Sequence, residues 1–144
     1  MTSFIVHALE IFGICFLRFR LVPRLWCLWL VGVNTACLLF IAHVEAQVVL
    51  AVTGIAVAAQ TLLYQRLGFT RVLGTAHILW VPMFAWMGTR VEAIAAEPDL
   101  ANWLLVLLAT NLVSMVVDAI DALRFLRGER VPHYRWNLAE PVCL

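Results

Sequence analysis

The chain contains no lysine; all ten of its basic residues are arginine. Charge of either sign is scarce, at 13% of 144 residues, where soluble domains carry about a quarter. With a formal net charge of +1, there is no basic patch to neutralise a phosphate backbone, so nucleic acid is not an expected partner. Cysteines at metal-ligand spacing are also missing. Cys15, Cys27, Cys37 and Cys143 form no CxxC pair, and small buried cysteines in apolar runs ordinarily pack as hydrophobes. Cys143 is second from the end of the sequence, whereas a prenylation box needs a cysteine fourth from the end. No glycine-rich phosphate loop or serine-hydrolase elbow occurs; "GTAH" and "GVNT" are neither. The first apolar stretch has no basic residues ahead of it and no small-residue cleavage pattern after it, so the N-terminus is expected to be retained.

What the chain does have is apolar sequence, 64% of it. A globule of this size cannot bury that much apolar surface in its own core, so lipid is the expected solvent and the bilayer the first expected partner. A span needs about 20 apolar residues to cross roughly 30 Å of hydrocarbon. Four stretches qualify: 25–42, 47–64, 71–89 and 100 to about 124. The first two form one apolar run that can turn only at "HVEAQ". Between the last two lies "RVEAIAAEPDLANW", with Pro98 and the acids Glu92, Glu97 and Asp99. The fold class expected is all-α, a four-helix transmembrane bundle.

Arginine positions orient it. Arg18, Arg20, Arg24, Arg66, Arg71, Arg124, Arg127, Arg130 and Arg135 fall on one side of the spans, and Arg90 alone on the other. By the positive-inside rule both termini are cytoplasmic, in a multi-pass protein of the cell inner membrane. Trp26, Trp29 and Tyr64 mark one interface, and Trp86 and Trp103 the other. Residues 1–24 are read as a cytoplasmic, interfacial amphipathic helix, with His7, Glu10 and Arg18 opposite a phenylalanine-rich side. A short re-entrant or fifth segment is the alternative. Residues 25–126 form the four-span domain, and 127–144 an exposed cytoplasmic tail with little structure of its own.

Each span carries polar residues that the bilayer penalises. On the fourth, Asn111, Ser114, Asp118 and Asp121 are spaced 3, 4 and 3 apart, a stripe about 80° wide on a helix. On the second, Thr53, Gln60 and Tyr64 share a face; the first adds Asn34 and the third His77. At a rise of 1.5 Å per residue, His77 and Asp118 each lie roughly 9 Å in from the nearest arginine, so antiparallel neighbours would bring them to one level. Asp121 lies within reach of Arg71 or Arg124. The expected result is a polar layer of Asn34, Gln60, His77, Asp118 and Asp121. Pro82, in the third span, removes a backbone hydrogen bond and can kink it.

An Asp at the depth of Asp118 costs roughly 2.5–3.5 kcal/mol on insertion scales, which makes it the residue to explain. His77, Asp118 and Asp121 supply at most three ligands and no thiolate, so no metal is expected. His43 lies at the opposite interface, and His7 and His133 lie outside the spans, so no paired-histidine haem is expected either; no cofactor is expected at all. No catalytic set is identifiable. Three classes of function remain. The first is an accessory or scaffold subunit that meets other membrane subunits or itself. The second is a proton- or ion-linked small transporter or channel using Asp118 and His77. The third is a membrane enzyme acting on a lipid or quinone-like substrate, with the same pair as acid and base.

Overall fold

The computed structural model describes residues 2–132, 134 and 136. The chain is built of helices, with no strand among the described residues beyond a single bridge between Phe69 and Tyr134. Helix α1 (Thr2–Gly13) runs into a π-helical turn (Ile14–Arg18). Helix α2 (Leu21–Thr35) continues as a 3₁₀ turn (Ala36–Phe40), and α3 spans Val44–Leu67. A 3₁₀ segment (Arg71–Leu79) leads directly into α4 (Trp80–Gly88). The short α5 (Val91–Ala95) precedes the long α6 (Pro98–Leu126).

Three helical stretches are long and apolar enough to cross a membrane: Leu21–Phe40, Val44–Leu67 and Pro98–Leu126. The third expected span is not a single α-helix. It is divided between the 3₁₀ segment and α4, and Pro82 lies just past the junction. Pro23, Pro82 and Pro98 each sit in the first turn of their helix. For Pro23 and Pro98 the N–H that proline lacks has no intrahelical partner to lose, whereas Pro82 follows the 3₁₀ segment without a break and leaves one carbonyl there without its donor. The tolerance of Pro23 is why α2 starts at Leu21, ahead of the expected residue 25.

The packing is inverted relative to a soluble protein. The interior between α2, α3, α4 and α6 holds Val49, Trp80, Met83, Leu104 and Leu107. It also holds Asn34, Glu45, Thr61, Asn111 and Ser114, all buried. The outer surface is apolar: Leu39 is 82% exposed, and Leu105, Val116 and Ile120 cover the outside of α6. A soluble fold of this size would not leave so large an apolar surface open, and a lipid environment suits it.

Helix α1 also departs from the pattern expected of it. Its polar residues turn toward α3: Tyr64 Oη donates to Glu10 Oε2 at 3.1 Å, and the His7 ring meets Tyr64 edge-on at 5.9 Å. Ile5, Val6 and Leu9 face outward. Two described residues of the tail, Tyr134 and Trp136, touch the helical region. Tyr134 packs against Phe19 (4.9 Å between ring centroids) and Phe69 (5.9 Å), and Arg18 donates to the Trp136 carbonyl at 3.3 Å. Gly13 leaves the room in which the Trp136 ring rests. His133, Arg135 and Cys143 lie outside the described residues.

Candidate functional site

The 3₁₀ segment organises the main polar site. With three residues per turn, positions three apart eclipse one another, so Arg71, Gly74, His77 and Trp80 fall in one line. On an α-helix, nine residues make two and a half turns, and Arg71 and Trp80 would face opposite ways. The line faces the acidic side of α6. His77 Nδ1 lies 2.7 Å from Asp118 Oδ2, and Arg71 Nη1 donates to Asp121 Oδ1 at 2.6 Å. Gly74 sits directly against the Asp118 carboxylate, where any Cβ would collide with it. A backbone without a side chain is what admits the carboxylate between the two helices.

His77 is occupied on both edges and on one face. Gln60 Nε2, from α3, lies 2.9 Å from His77 Nε2. With the proton on Nδ1 donated to Asp118, Nε2 is left to accept from the Gln60 amide, and this network assigns the tautomer. The Trp80 indole stacks on the ring at 4.1 Å with 9° between the planes. The side chains of His77 and Asp118 retain 15% and 21% of their exposure. Toward the helix end, Glu129 Oε2 lies 3.0 Å from Arg71 Nε, an ion pair not aligned as a hydrogen bond. Arg124 lies 3.8 Å from Glu129, half exposed, and Asp121 pairs with Arg71 instead.

The expected single layer is therefore two centres. Gln60, His77, Asp118, Asp121 and Arg71 form one. Asn34 belongs to the other: its Nδ2 donates to Asn111 Oδ1 at 2.9 Å, and Asn111 Nδ2 donates back to Asn34 Oδ1 at 3.2 Å. Asn111 precedes Asp118 by seven residues, about 10.5 Å along α6. Asn34 also donates to the Leu30 carbonyl at 2.9 Å. Nearby, Trp29 donates to Thr110 Oγ1 at 3.1 Å and Trp103 to the Val33 carbonyl at 3.0 Å, joining α2 to α6 twice more. Ser114 is buried on the same face of α6. The face shared by Thr53, Gln60 and Tyr64 serves three purposes: Gln60 meets His77, Tyr64 meets Glu10, and Thr53 Oγ1 is buried without a partner.

A third polar contact lies at the far end. Glu45, buried at the start of α3, takes a 2.7 Å hydrogen bond from Arg90 Nε, and the Arg90 guanidinium lies 5.2 Å from the centre of the Trp86 ring. Sequence reasoning used these residues only to mark a turn and a side. Their signal was available, because an arginine expected to stand alone on its side of the spans needs a counter-charge and "HVEAQ" carries one. Gly74 and the Trp80 stack were not accessible in that way, because both follow from 3₁₀ winding. Among the described residues no group of three or more His, Cys, Asp or Glu side chains converges as a metal site. No protein family, curated protein or solved structure matches the chain.

Proposed function

We propose that this is a multi-pass inner-membrane protein of four spans that serves as an accessory or scaffold subunit, with its polar centres acting as interhelical fasteners. The spans are Leu21–Phe40, Val44–Leu67, residues 71–88 and Pro98–Leu126. At ideal rises the 3₁₀ segment and α4 together cover about 32 Å, enough to cross the hydrocarbon core with 18 residues. The arginine-rich end, bearing both termini, lies at the cytoplasmic face. Helix α1 rests at that interface with Ile5, Val6 and Leu9 in lipid.

One observation carries the functional reading: both ring nitrogens of His77 are engaged and one ring face is covered by Trp80. A general base must lie within hydrogen-bond reach of the proton it takes, and both His77 nitrogens are spent on protein side chains of neighbouring helices, which is the work of an interhelical fastener. The same holds for the reciprocal amide pair of Asn34 and Asn111. Two measurements test this reading. Proteoliposomes holding the full chain are expected to take up protons no faster than empty ones under a pH gradient. Native mass spectrometry of membrane vesicles is expected to recover the chain in an assembly of fixed stoichiometry. A flux abolished by Asp118→Asn, or recovery only as a single chain, overturns it.

A further inference from the structure

We infer that the 3₁₀ segment is a length-adjusting element, the long and latched form of the third span, which rewinds toward α-helix when the bilayer thins. The inference rests on the four-span reading above. A 3₁₀ helix rises about 2.0 Å per residue and an α-helix 1.5 Å. Residues 71–88 therefore cover about 32 Å as they stand and about 27 Å if wholly α-helical, on either side of the roughly 30 Å that a bilayer demands.

Features of the fold bear on both forms. Runs of 3₁₀ helix beyond three or four residues are uncommon because their hydrogen bonds are poorly aligned; this one has nine residues. It is held by the line of contacts to α6, with Arg71 on Asp121, His77 on Asp118, and Gly74 against the Asp118 carboxylate. The latched form also has a cost. Trp80 is 2% exposed, yet its indole N–H finds no partner, and Thr53 Oγ1 on α3 is orphaned likewise. Against rewinding stands Pro82, whose ring in a continuous α-helix would oppose the Ile78 carbonyl and remove one hydrogen bond. Membrane helices tolerate that penalty when neighbouring helices re-satisfy the freed group. Poor hydrogen bonds and an orphaned indole on one side, and a proline on the other, bring two windings of the same residues close in energy. Bilayer thickness then selects between them, because mismatch is relieved by whichever length fits. Full rewinding turns Trp80 by about half a turn relative to Arg71, which breaks the line to α6.

The test uses the full chain with its cysteines replaced by serine and spin labels at positions 72 and 79. The protein is reconstituted in phosphatidylcholine vesicles whose monounsaturated chains range from erucoyl to myristoleoyl. Rewinding shortens the rise between these positions by about 3.5 Å and brings the labels from about 120° apart around the axis to nearly the same side, so their distance is expected to shorten by several ångströms from the thickest to the thinnest bilayer. Gly74→Ala and Asp118→Ala are expected to give the short distance in every bilayer, because each removes the latch. A wild-type distance that stays constant across the series overturns the inference, as does a Gly74→Ala chain that keeps the long distance. If either variant fails to fold, the wild-type series decides alone. Relaxation of the label at position 79 by oxygen and by a water-soluble nickel chelate separates the two possible failures. A label in lipid at constant distance removes this inference only, whereas a label in water in every bilayer removes the four-span reading with it.

Discussion

The two polar centres on α6 solve one problem in opposite ways. Asn34 and Asn111 are neutral and self-complementary, and they sit 4% and 0% exposed in the middle of the helix bundle. Each amide supplies a donor and an acceptor to the other, so nothing charged has to be desolvated. Asp118, Arg71 and Asp121 carry charge, and with the His77 ring they sit nearer the helix ends and keep 15–31% of their side-chain exposure. A neutral pair can be placed deep because its hydrogen bonds compensate its burial, whereas a carboxylate must keep a cation or a path to solvent. Depth in this protein therefore follows the charge of the group rather than its position in the polar stripe.

That contrast can be broken at several points. The largest effect is expected from Asn111→Ala, which leaves the buried Asn34 amide without its partner and costs about 1–3 kcal/mol. The check is reversible unfolding in detergent, where the double variant Asn34→Leu/Asn111→Leu should recover much of the loss. Next comes Asp118→Ala, expected to cost about 1–2 kcal/mol, since interhelical hydrogen bonds in membranes are worth about that much. A double-mutant cycle with His77→Ala should return a coupling of roughly 1 kcal/mol; zero coupling would mean that the 2.7 Å contact does not hold the helices together. Arg71→Ala should cost less, about 0.5–1 kcal/mol, because the Asp121 side chain it releases is 31% exposed and can be hydrated. Its effect should shrink further in high salt, while that of Asn111→Ala should not change. Arg124→Ala, half exposed and 3.8 Å from Glu129, should stay within about 0.5 kcal/mol of wild type. If Arg124→Ala proves more damaging than Arg71→Ala, the helix end is arranged around the wrong cation.

Much of this architecture is legible in linear form. Apolar runs bounded by arginine and proline mark α2, α3 and α6 to within a few residues, because lipid-facing helices need length and hydrophobicity more than particular side chains. Counting depth from the arginines puts His77 and Asp118 at one level, and in the fold their side chains meet. The same count grouped Asn34 with them, and it pairs with Asn111 instead. Depth along a helix axis is one coordinate, and the choice of neighbour depends on rotation about the axis, which α2 settles by packing against α6. Helix α1 shows the limit of amphipathicity. The period of its polar residues is plain, but whether that side meets water or another helix depends on Tyr64 being there to receive Glu10.

By itself the sequence determined that the chain is helical, that lipid suits its outer surface, and which few polar residues have to be explained. Those properties follow from composition and local periodicity, which act residue by residue along the chain. Only the tertiary structure decided that residues 71–79 wind as a 3₁₀ helix, and with it that Arg71, Gly74, His77 and Trp80 form one line. An isolated segment would prefer the better-aligned hydrogen bonds of an α-helix. The tighter winding goes with the contacts that Asp118 and Asp121 of α6 make along that line, and those exist only once the two elements are side by side.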